Sequence, residues 1–320
     1  MNTYRILTGS CLDTLPTLET GSAHCCVTSP PYWGLRDYGC EGQLGLEKTP
    51  DEYVARMVSV FREVRRVLRD DGTLWLNVGD SYAASAGGGM GKNSQFLDRT
   101  AGRLGVREQK TSKVVGDLKP KDLVGIPWML AFALRADGWY LRSEIIWSKP
   151  NPMPESVTDR PTKAHEQVFL LSKSPRYYFD AASIAEPSIH AGTSVSLGDK
   201  SLSRGQAKGA GVKPSGNGTT TTVTVKDTKN ARSVWTITSE CCKEAHFAVM
   251  PRALARPCIL AGCPIGGTVL DPFGGAGTVA CEATAQQRNA ILCELNPAYV
   301  EIARRRIEAE VPMFAREVAA

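Results

Sequence analysis

Two short runs at opposite ends of the chain carry residue types that could do chemistry. The first is Thr28-Ser29-Pro30-Pro31-Tyr32-Trp33, directly after the apolar stretch His24 to Val27. An amine conjugated to an aromatic ring is a poor nucleophile, because its lone pair is delocalised into the ring. Acceptors facing its N–H bonds draw the nitrogen toward sp³ geometry and release the lone pair for attack on an electrophilic carbon. The Ser29 hydroxyl and the Pro30 carbonyl are such acceptors, and Pro30 and Pro31, with fixed φ and no N–H, hold the carbonyls rigidly. Tyr32 offers a π face on which a flat ring can stack, an interaction worth roughly 1–3 kcal/mol. No strongly shifted general base is needed, since the amine loses its proton only after alkylation.

The second run is Asp271-Pro272-Phe273-Gly274-Gly275-Ala276-Gly277-Thr278, after Gly267-Thr268-Val269-Leu270. Thr268 to Leu270 reads as a buried parallel strand, and Asp271 ends it where open α/β sheets bind ligands. Gly274, Gly275 and Gly277 allow a tight turn and close approach of backbone to a ligand. A bare glycine turn is also an ordinary strand-to-helix loop. Here, however, Ala276 to Arg288 reads as a helix and Ala290 to Cys293 as a second strand, ending in Glu294. An acidic residue about 20 positions past a glycine turn is placed to bind ribose hydroxyls. A nucleoside ligand is therefore expected. No Gly-Lys-Ser/Thr follows the glycines, which excludes a phosphate-cradling loop.

The elements that must position these runs are legible in outline. Thr49-Pro50-Asp51-Glu52 is a capping box with proline at the first helical position. It opens a helix with Tyr53, Met57, Val60, Phe61, Val64, Val67 and Leu68 on one side, stopped by Asp71-Gly72. Thr73 to Val78 is the next buried strand, running into Gly79-Asp80. Trp128 to Leu134 reads as a helix core. Trp139 to Trp147 is a strand leading into Ser148-Lys149-Pro150, and Glu166 to Leu171, after His165, is another.

Composition narrows the class. A chain of 320 residues can bury a large core. The net charge of +5 suits a polyanionic partner without proving one. No apolar run reaches the ~18 residues a membrane span needs, and the N-terminus lacks a signal-peptide layout, so a cytoplasmic protein is expected. Ten cysteines with no CxxC spacing read as reduced thiols, several of them in buried strands, and no metal site is expected.

Taken together, the two motifs resemble the catalytic and cofactor loops of S-adenosylmethionine-dependent DNA amino-methyltransferases of the N6-adenine/N4-cytosine family. The catalytic loop comes first, which is the circularly permuted order of the β group. The resemblance covers most of the chain, from Gly9-Ser10-Cys11 to the second motif, with His246-Phe247-Ala248-Val249-Met250-Pro251 similar to a segment that closes over the methionine part of the cofactor. It departs from the pattern at Ser10, where the family often has Asp. The resemblance implies a permuted Rossmann-like fold: a mixed, mostly parallel sheet with helices on both faces, plus DNA-recognition insertions. It implies Ser29, Pro30, Pro31 and Tyr32 as the catalytic residues. For S-adenosylmethionine it implies Cys11, Asp271, Phe273, Gly274, Gly275, Gly277, Thr278, Glu294 and Asn296. Double-stranded DNA is the expected partner, which would associate the protein with the nucleoid, and the resemblance also allows a homodimer. Ser at position 29 leans toward cytosine N4, whereas Asp would lean toward adenine N6, and both bases stay open. His165 and His246 read equally well as structural histidines.

The organisation that follows is a catalytic part over residues 1–187, a target-recognition region over 188–240 and a cofactor-binding part over 241–320. Two segments break the α/β rhythm. Residues 85–121 hold Gly87-Gly88-Gly89 and eight basic side chains from Lys92 to Lys121, against Asp98, Glu108 and Asp117. Residues 188–233 are rich in Gly, Ser and Thr and carry Lys200, Arg204, Lys208, Lys213, Lys226, Lys229 and Arg232. Both could be plain solvated loops, but loops this long usually function, and cationic, hydroxyl-rich loops suit phosphate contact and base readout. Two other readings remain. A methyltransferase acting on RNA or a protein glutamine would use a similar loop, usually with Asn in place of Ser29. A catalytically inactive DNA-binding regulator would not need an intact cofactor loop.

Overall fold

The computed structural model describes residues 2–35, 37–83, 117–189, 191–192, 194–197, 221–242, 247–310 and 315–318. The first half contains β1 (Asn2–Thr8), α1 (Cys11–Thr14), β2 (Ala23–Thr28), α2 (Pro50–Val67), β3 (Leu68–Val78), α3 (Ile126–Ala136), β4 (Tyr140–Ser148) and β5 (His165–Ser172). There follow β6 (Glu186–Pro187), β7 (Ser194–Leu197), β8 (Thr221–Thr224), β9 (Thr228–Lys229), β10 (Val234–Thr236), β11 (Glu240–Cys242) and β12 (Phe247–Val249). The chain ends with α4 (Arg252–Gly262), β13 (Thr268–Asp271), α5 (Thr278–Ala285), β14 (Asn289–Glu294), α6 (Pro297–Glu310) and β15 (Ala315–Glu317).

Among the described residues, nine strands form one sheet in the order β10-β4-β5-β3-β2-β13-β14-β1-β15. Every pairing in it is parallel except the two made by β5, which runs against both β3 and β4. That arrangement decides where chemistry can gather. The carboxyl ends of β1, β2, β3, β4, β13 and β14 lie along one edge, and the amino-terminal end of the reversed β5 reaches the same edge. Two helical layers cover the sheet. Cys26, Leu74 and Leu76 share a core with the buried face of α2 and α3. On the other face α4 presses so closely that a side chain at Gly262 would strike Trp75, Cys25 and Thr73 within 2.8 Å.

The sequence dictates α2 well. Thr49 caps it by accepting from the Glu52 N–H (3.1 Å), and Glu52 reaches back to the Lys48 N–H (3.0 Å). Tyr53, Met57, Val60, Phe61, Val64, Val67 and Leu68 are all fully buried. The helix nevertheless ends at Val67, before Asp71-Gly72, because Leu68 already pairs with Ala23 as the first residue of β3. The helix expected over Ala276 to Arg288 is shorter, since Gly277 takes a left-handed φ of 78° and delays its start to Thr278. In α3 the expected core stretch is two-faced: Leu130, Ala131 and Leu134 are buried, whereas Trp128 and Phe132 are exposed.

The chain divides into two compact units, Met1–Asp180 with Ser233–Ala320, and Ala181–Arg232. The second consists of the antiparallel pairs β6–β9 and β7–β8, and Glu186 accepts from Arg232 Nε at 2.8 Å within it. It overlaps the segment expected to read DNA. Most of the basic segment 85–121, the residues from Lys200 to Lys213, and His246 lie outside the described residues.

Candidate active site

Ser29 to Tyr32 leave the end of β2, in the middle of the sheet's carboxyl edge. The loop is held from several directions. Tyr53, buried on α2, donates its hydroxyl to the Pro31 carbonyl at 2.8 Å. Trp33, 2% exposed, donates its indole N–H to the Glu47 carbonyl at 2.9 Å. Gly45, at φ 95°, passes so near Pro31 that a side chain there would sit 3.2 Å from its Cβ. Tyr53 thus occupies the Pro31 carbonyl of this loop.

Tyr32 lies in a polar cluster that its own motif does not announce. Its hydroxyl donates to Glu166 Oε2 at 2.6 Å, and longer 3.4 Å contacts reach Ser29 Oγ and Asn77 Oδ1. Asn77 Nδ2 donates to the same Glu166 oxygen at 3.1 Å, and Lys149 Nζ pairs with the other. Burial, with Glu166 close by, pushes the Tyr32 hydroxyl well above its ordinary pKa. Beside the cluster, Asp80 accepts from the N–H groups of Gly125 and Ile126 (2.9 and 3.1 Å), capping the start of α3. Sequence reasoning missed the contributions of Asn77, Glu166, Lys149 and Tyr53. His165 begins β5 and is exposed.

The glycine loop leaves the neighbouring strand. Because β13 pairs in parallel with both β2 and β14, Asp271 and Glu294 end adjacent strands. Glu294 Oε2 accepts from the Gly275 N–H and Oε1 from the Asn296 N–H, both at 2.8 Å. Burial raises the pKa of this carboxyl, against the pull of those N–H groups. A side chain at Gly274 would strike Leu292, and one at Gly277 would strike Ala303, each at 2.9 Å. Cys11 starts α1 after β1, whose Thr8 is in register with Glu294. Phe273 is partly buried against the main core, and Thr278 is buried at the start of α5. The side-chain oxygen of Asn296 is occupied in capping α6 through the Ala298 N–H (2.9 Å).

Asp271 joins the two loops. Its Oδ1 accepts from the Thr28 hydroxyl at 2.6 Å and from the Phe273 N–H at 3.1 Å. Burial is the chief cause that pushes its pKa up to about 7. Around the far side of the glycine loop, Ala276, Tyr299 and Ile302 form a small apolar cluster on which Tyr38 and Val249 pack. Tyr38 brings the segment after the Ser29–Tyr32 loop against the glycine-loop side, a contact invisible in the sequence. Among the described residues no group of acidic, histidine and cysteine side chains could hold a metal ion, and no helix is long and apolar enough to cross a membrane.

The likeness to known proteins extends over most of the chain. A family model described as DNA methylase matches residues 23–305. The type II methyltransferase M.SmaI of Serratia marcescens is 44% identical over 307 residues, covering 96% of this chain and 91% of that protein. A provisionally assigned DNA modification methylase from Thermus thermophilus, solved in complex with S-adenosyl-L-methionine, superposes with a TM-score of 0.58. It is 22% identical and covers 98% of this chain and 99% of its own. The PvuII DNA methyltransferase, cytosine-N4-specific, superposes at 0.56 with 17% identity, over 98% of this chain and 92% of that one. The last two likenesses speak to the fold.

Proposed function

The chain belongs to the N6-adenine/N4-cytosine DNA methylase family, and we propose that it methylates the exocyclic N4 of cytosine in duplex DNA. DNA methyltransferase activity follows from the family. The choice of base rests on Ser29, a residue type that by the family resemblance leans toward cytosine N4 where Asp leans toward adenine N6. The observation that carries the mechanism is the meeting of the Ser29–Tyr32 loop and the Asp271/Glu294 loop at adjacent strand ends of one sheet edge.

S-adenosylmethionine is the cofactor, and when bound it supplies the electrophilic methyl group. The residues present suit it. Glu294 with the Gly275 turn offers a carboxylate to ribose hydroxyls, a Cβ at Gly275 would meet nothing nearer than the Phe273 carbonyl at 3.9 Å, and Asp271 is a buried carboxyl whose ionisation a cationic ligand would favour. Cys11, Phe273, Thr278 and Asn296 surround that turn in the same proposal. The chain's own residues then act on the DNA. Tyr32 stacks on a base flipped out of the duplex, which recovers part of the few kcal/mol that flipping costs. Ser29 Oγ and the Pro30 carbonyl accept from its amine and direct the nitrogen lone pair outward. The order of the two loops in the chain supports placing the protein in the permuted β group.

The segment 188–240 is proposed to read the recognition sequence, and the basic segment 85–121 to contact phosphates; their composition supports both roles. Methylated DNA digested to nucleosides and resolved by mass tests the base assignment. N4-methylcytosine is the expected product, and N6-methyladenine in its place would overturn the choice made from Ser29.

A further inference from the structure

The cluster behind Tyr32 is more elaborate than a packed aromatic ring requires. Glu166 sits near the start of β5, the reversed strand, and so reaches the edge from the opposite direction to Tyr32. Its side chain is 16% exposed, and each of its oxygens is engaged: Oε2 by the Tyr32 hydroxyl and Asn77 Nδ2, Oε1 by Lys149 Nζ. Lys149 is itself confined, since its ammonium also lies 4.2 Å from the centre of the Trp147 ring. On its other side Tyr32 rests against Gly79: a Cβ there would lie 2.5 Å from Tyr32 Cε2 and 3.0 Å from Cδ2. The ring is thus bounded by bare backbone on one side and tethered at its hydroxyl by a carboxylate that two other side chains hold still.

We propose that Glu166 is a positioning residue of the catalytic loop, fixing the Tyr32 ring against Gly79 through the Tyr32 hydroxyl while Lys149 and Asn77 fix its carboxylate. The inference rests on the reading of Ser29–Tyr32 as the catalytic loop. It assigns the Tyr32 hydroxyl a task beyond the stacking that its ring performs. A charge-assisted bond is strong enough for this, and a flat platform gains most from a fixed plane. The unpaired alternative, a carboxylate buried beside a phenol with no partner, would be costly, which is why Lys149 and Asn77 belong to the device.

A double-mutant comparison tests it. Tyr32→Phe and Glu166→Gln are each expected to slow single-turnover methyl transfer about tenfold, the scale of one hydrogen bond to a charged group. Affinities for DNA and S-adenosylmethionine are expected to stay within about twofold, because a platform held wrongly affects the chemical step. The double variant is expected to be no slower than the slower single one. Rates that multiply to about a hundredfold would show that Glu166 does not act through Tyr32. A second readout does not depend on catalysis. With 3-fluorotyrosine placed at position 32, Glu166→Gln is expected to move the ¹⁹F resonance, while the remote exposed change Arg62→Ala leaves it in place. An unmoved resonance in Glu166→Gln overturns the proposal whatever the enzyme's activity. Loss of methyl transfer in the unaltered protein, with the resonance still responding, would instead overturn the catalytic reading and leave the tether standing.

Discussion

Removing the Tyr32 ring by Tyr32→Ala takes away the proposed stacking platform, and turnover is expected to fall by one to two orders of magnitude, given roughly 1–3 kcal/mol per stacked base. Ser29→Ala separates the two acceptors: a large loss means that the hydroxyl accepts from the amine, and a near-silent change means that the Pro30 carbonyl carries the bond. On the cofactor side, Glu294→Ala is expected to weaken binding by about 1.5–3 kcal/mol, the cost of hydrogen bonds to a charged group. Calorimetry with unchanged affinity in a folded variant would remove Glu294 from the site. Asp271 predicts a pH effect. Its folded pKa of about 7 lies above the ~3.9 of an unfolded aspartate, so the folded state holds the proton more tightly. The stability that this group contributes is therefore full below pH ~4 and is lost as pH rises to about 7. Asp271→Asn keeps an acceptor for Thr28 and Phe273 and removes the titration. Without cofactor, its melting temperature relative to the unaltered protein is expected to rise between pH 5 and 7.5; a constant difference would contradict the assignment. At this scale the sequence singles out two contiguous runs, Ser29–Tyr32 and Asp271–Thr278, which follow adjacent strands of the sheet. It was silent on Glu166 and Asn77, because nothing local distinguishes a glutamate after His165 from any exposed strand start. Only the reversal of β5 carries it to the edge.

Elements were legible where the pattern is dense and less so at their ends. The apolar face of α2 was read residue by residue, since packing and capping agree there. Its end was not, because Leu68 joins β3 by pairing with Ala23, a partner 45 positions away. Gly277 shortened α5 for a conformational reason that composition hints at but does not specify. The join between α4 and α5 has its own device, also absent from any motif. Glu282 is fully buried and accepts from Arg252 Nε at 2.9 Å and Arg256 Nε at 2.7 Å. Arg252 and Arg256 are themselves partly exposed, so cutting the clamp leaves charges that water can reach. Glu282→Ala is accordingly expected to cost about 2–3 kcal/mol, at or below the ~3–5 kcal/mol that breaking a fully buried pair costs. Denaturant unfolding measures it, and a loss below about 0.5 kcal/mol would place Glu282 with ordinary surface pairs. Because α5 opens directly from the glycine loop, the same variant is expected to weaken cofactor binding.

At the scale of the whole molecule, one sheet edge gathers both loops, and the basic, hydroxyl-rich segments are proposed to meet the polyanion. Replacing residues 188–233 with a short linker is expected to abolish site-specific methylation while leaving cofactor affinity intact. Neutralising lysines that touch phosphates is expected to flatten the salt dependence of binding, by about 0.9 in log–log slope for each phosphate released. Methylation of the same sites at the same rate would reduce these segments to connectors. The mostly parallel sheet follows what the family resemblance implies. The compact pairing of β6 with β9 and of β7 with β8 was not foreseeable, because Gly, Ser and Thr give little periodicity to read. The proposed function hangs on methyl transfer to a base amine at the Ser29–Tyr32 loop. The decisive experiment is single-turnover transfer from tritiated S-adenosylmethionine to DNA containing the recognition site, with the unaltered protein beside Tyr32→Ala. Label is expected in N4-methylcytosine, with a ten- to hundredfold slower rate in the variant, as the loss of about 1–3 kcal/mol of stacking implies. Full activity in Tyr32→Ala, or no label in DNA from the unaltered protein, would show that the chemistry lies elsewhere.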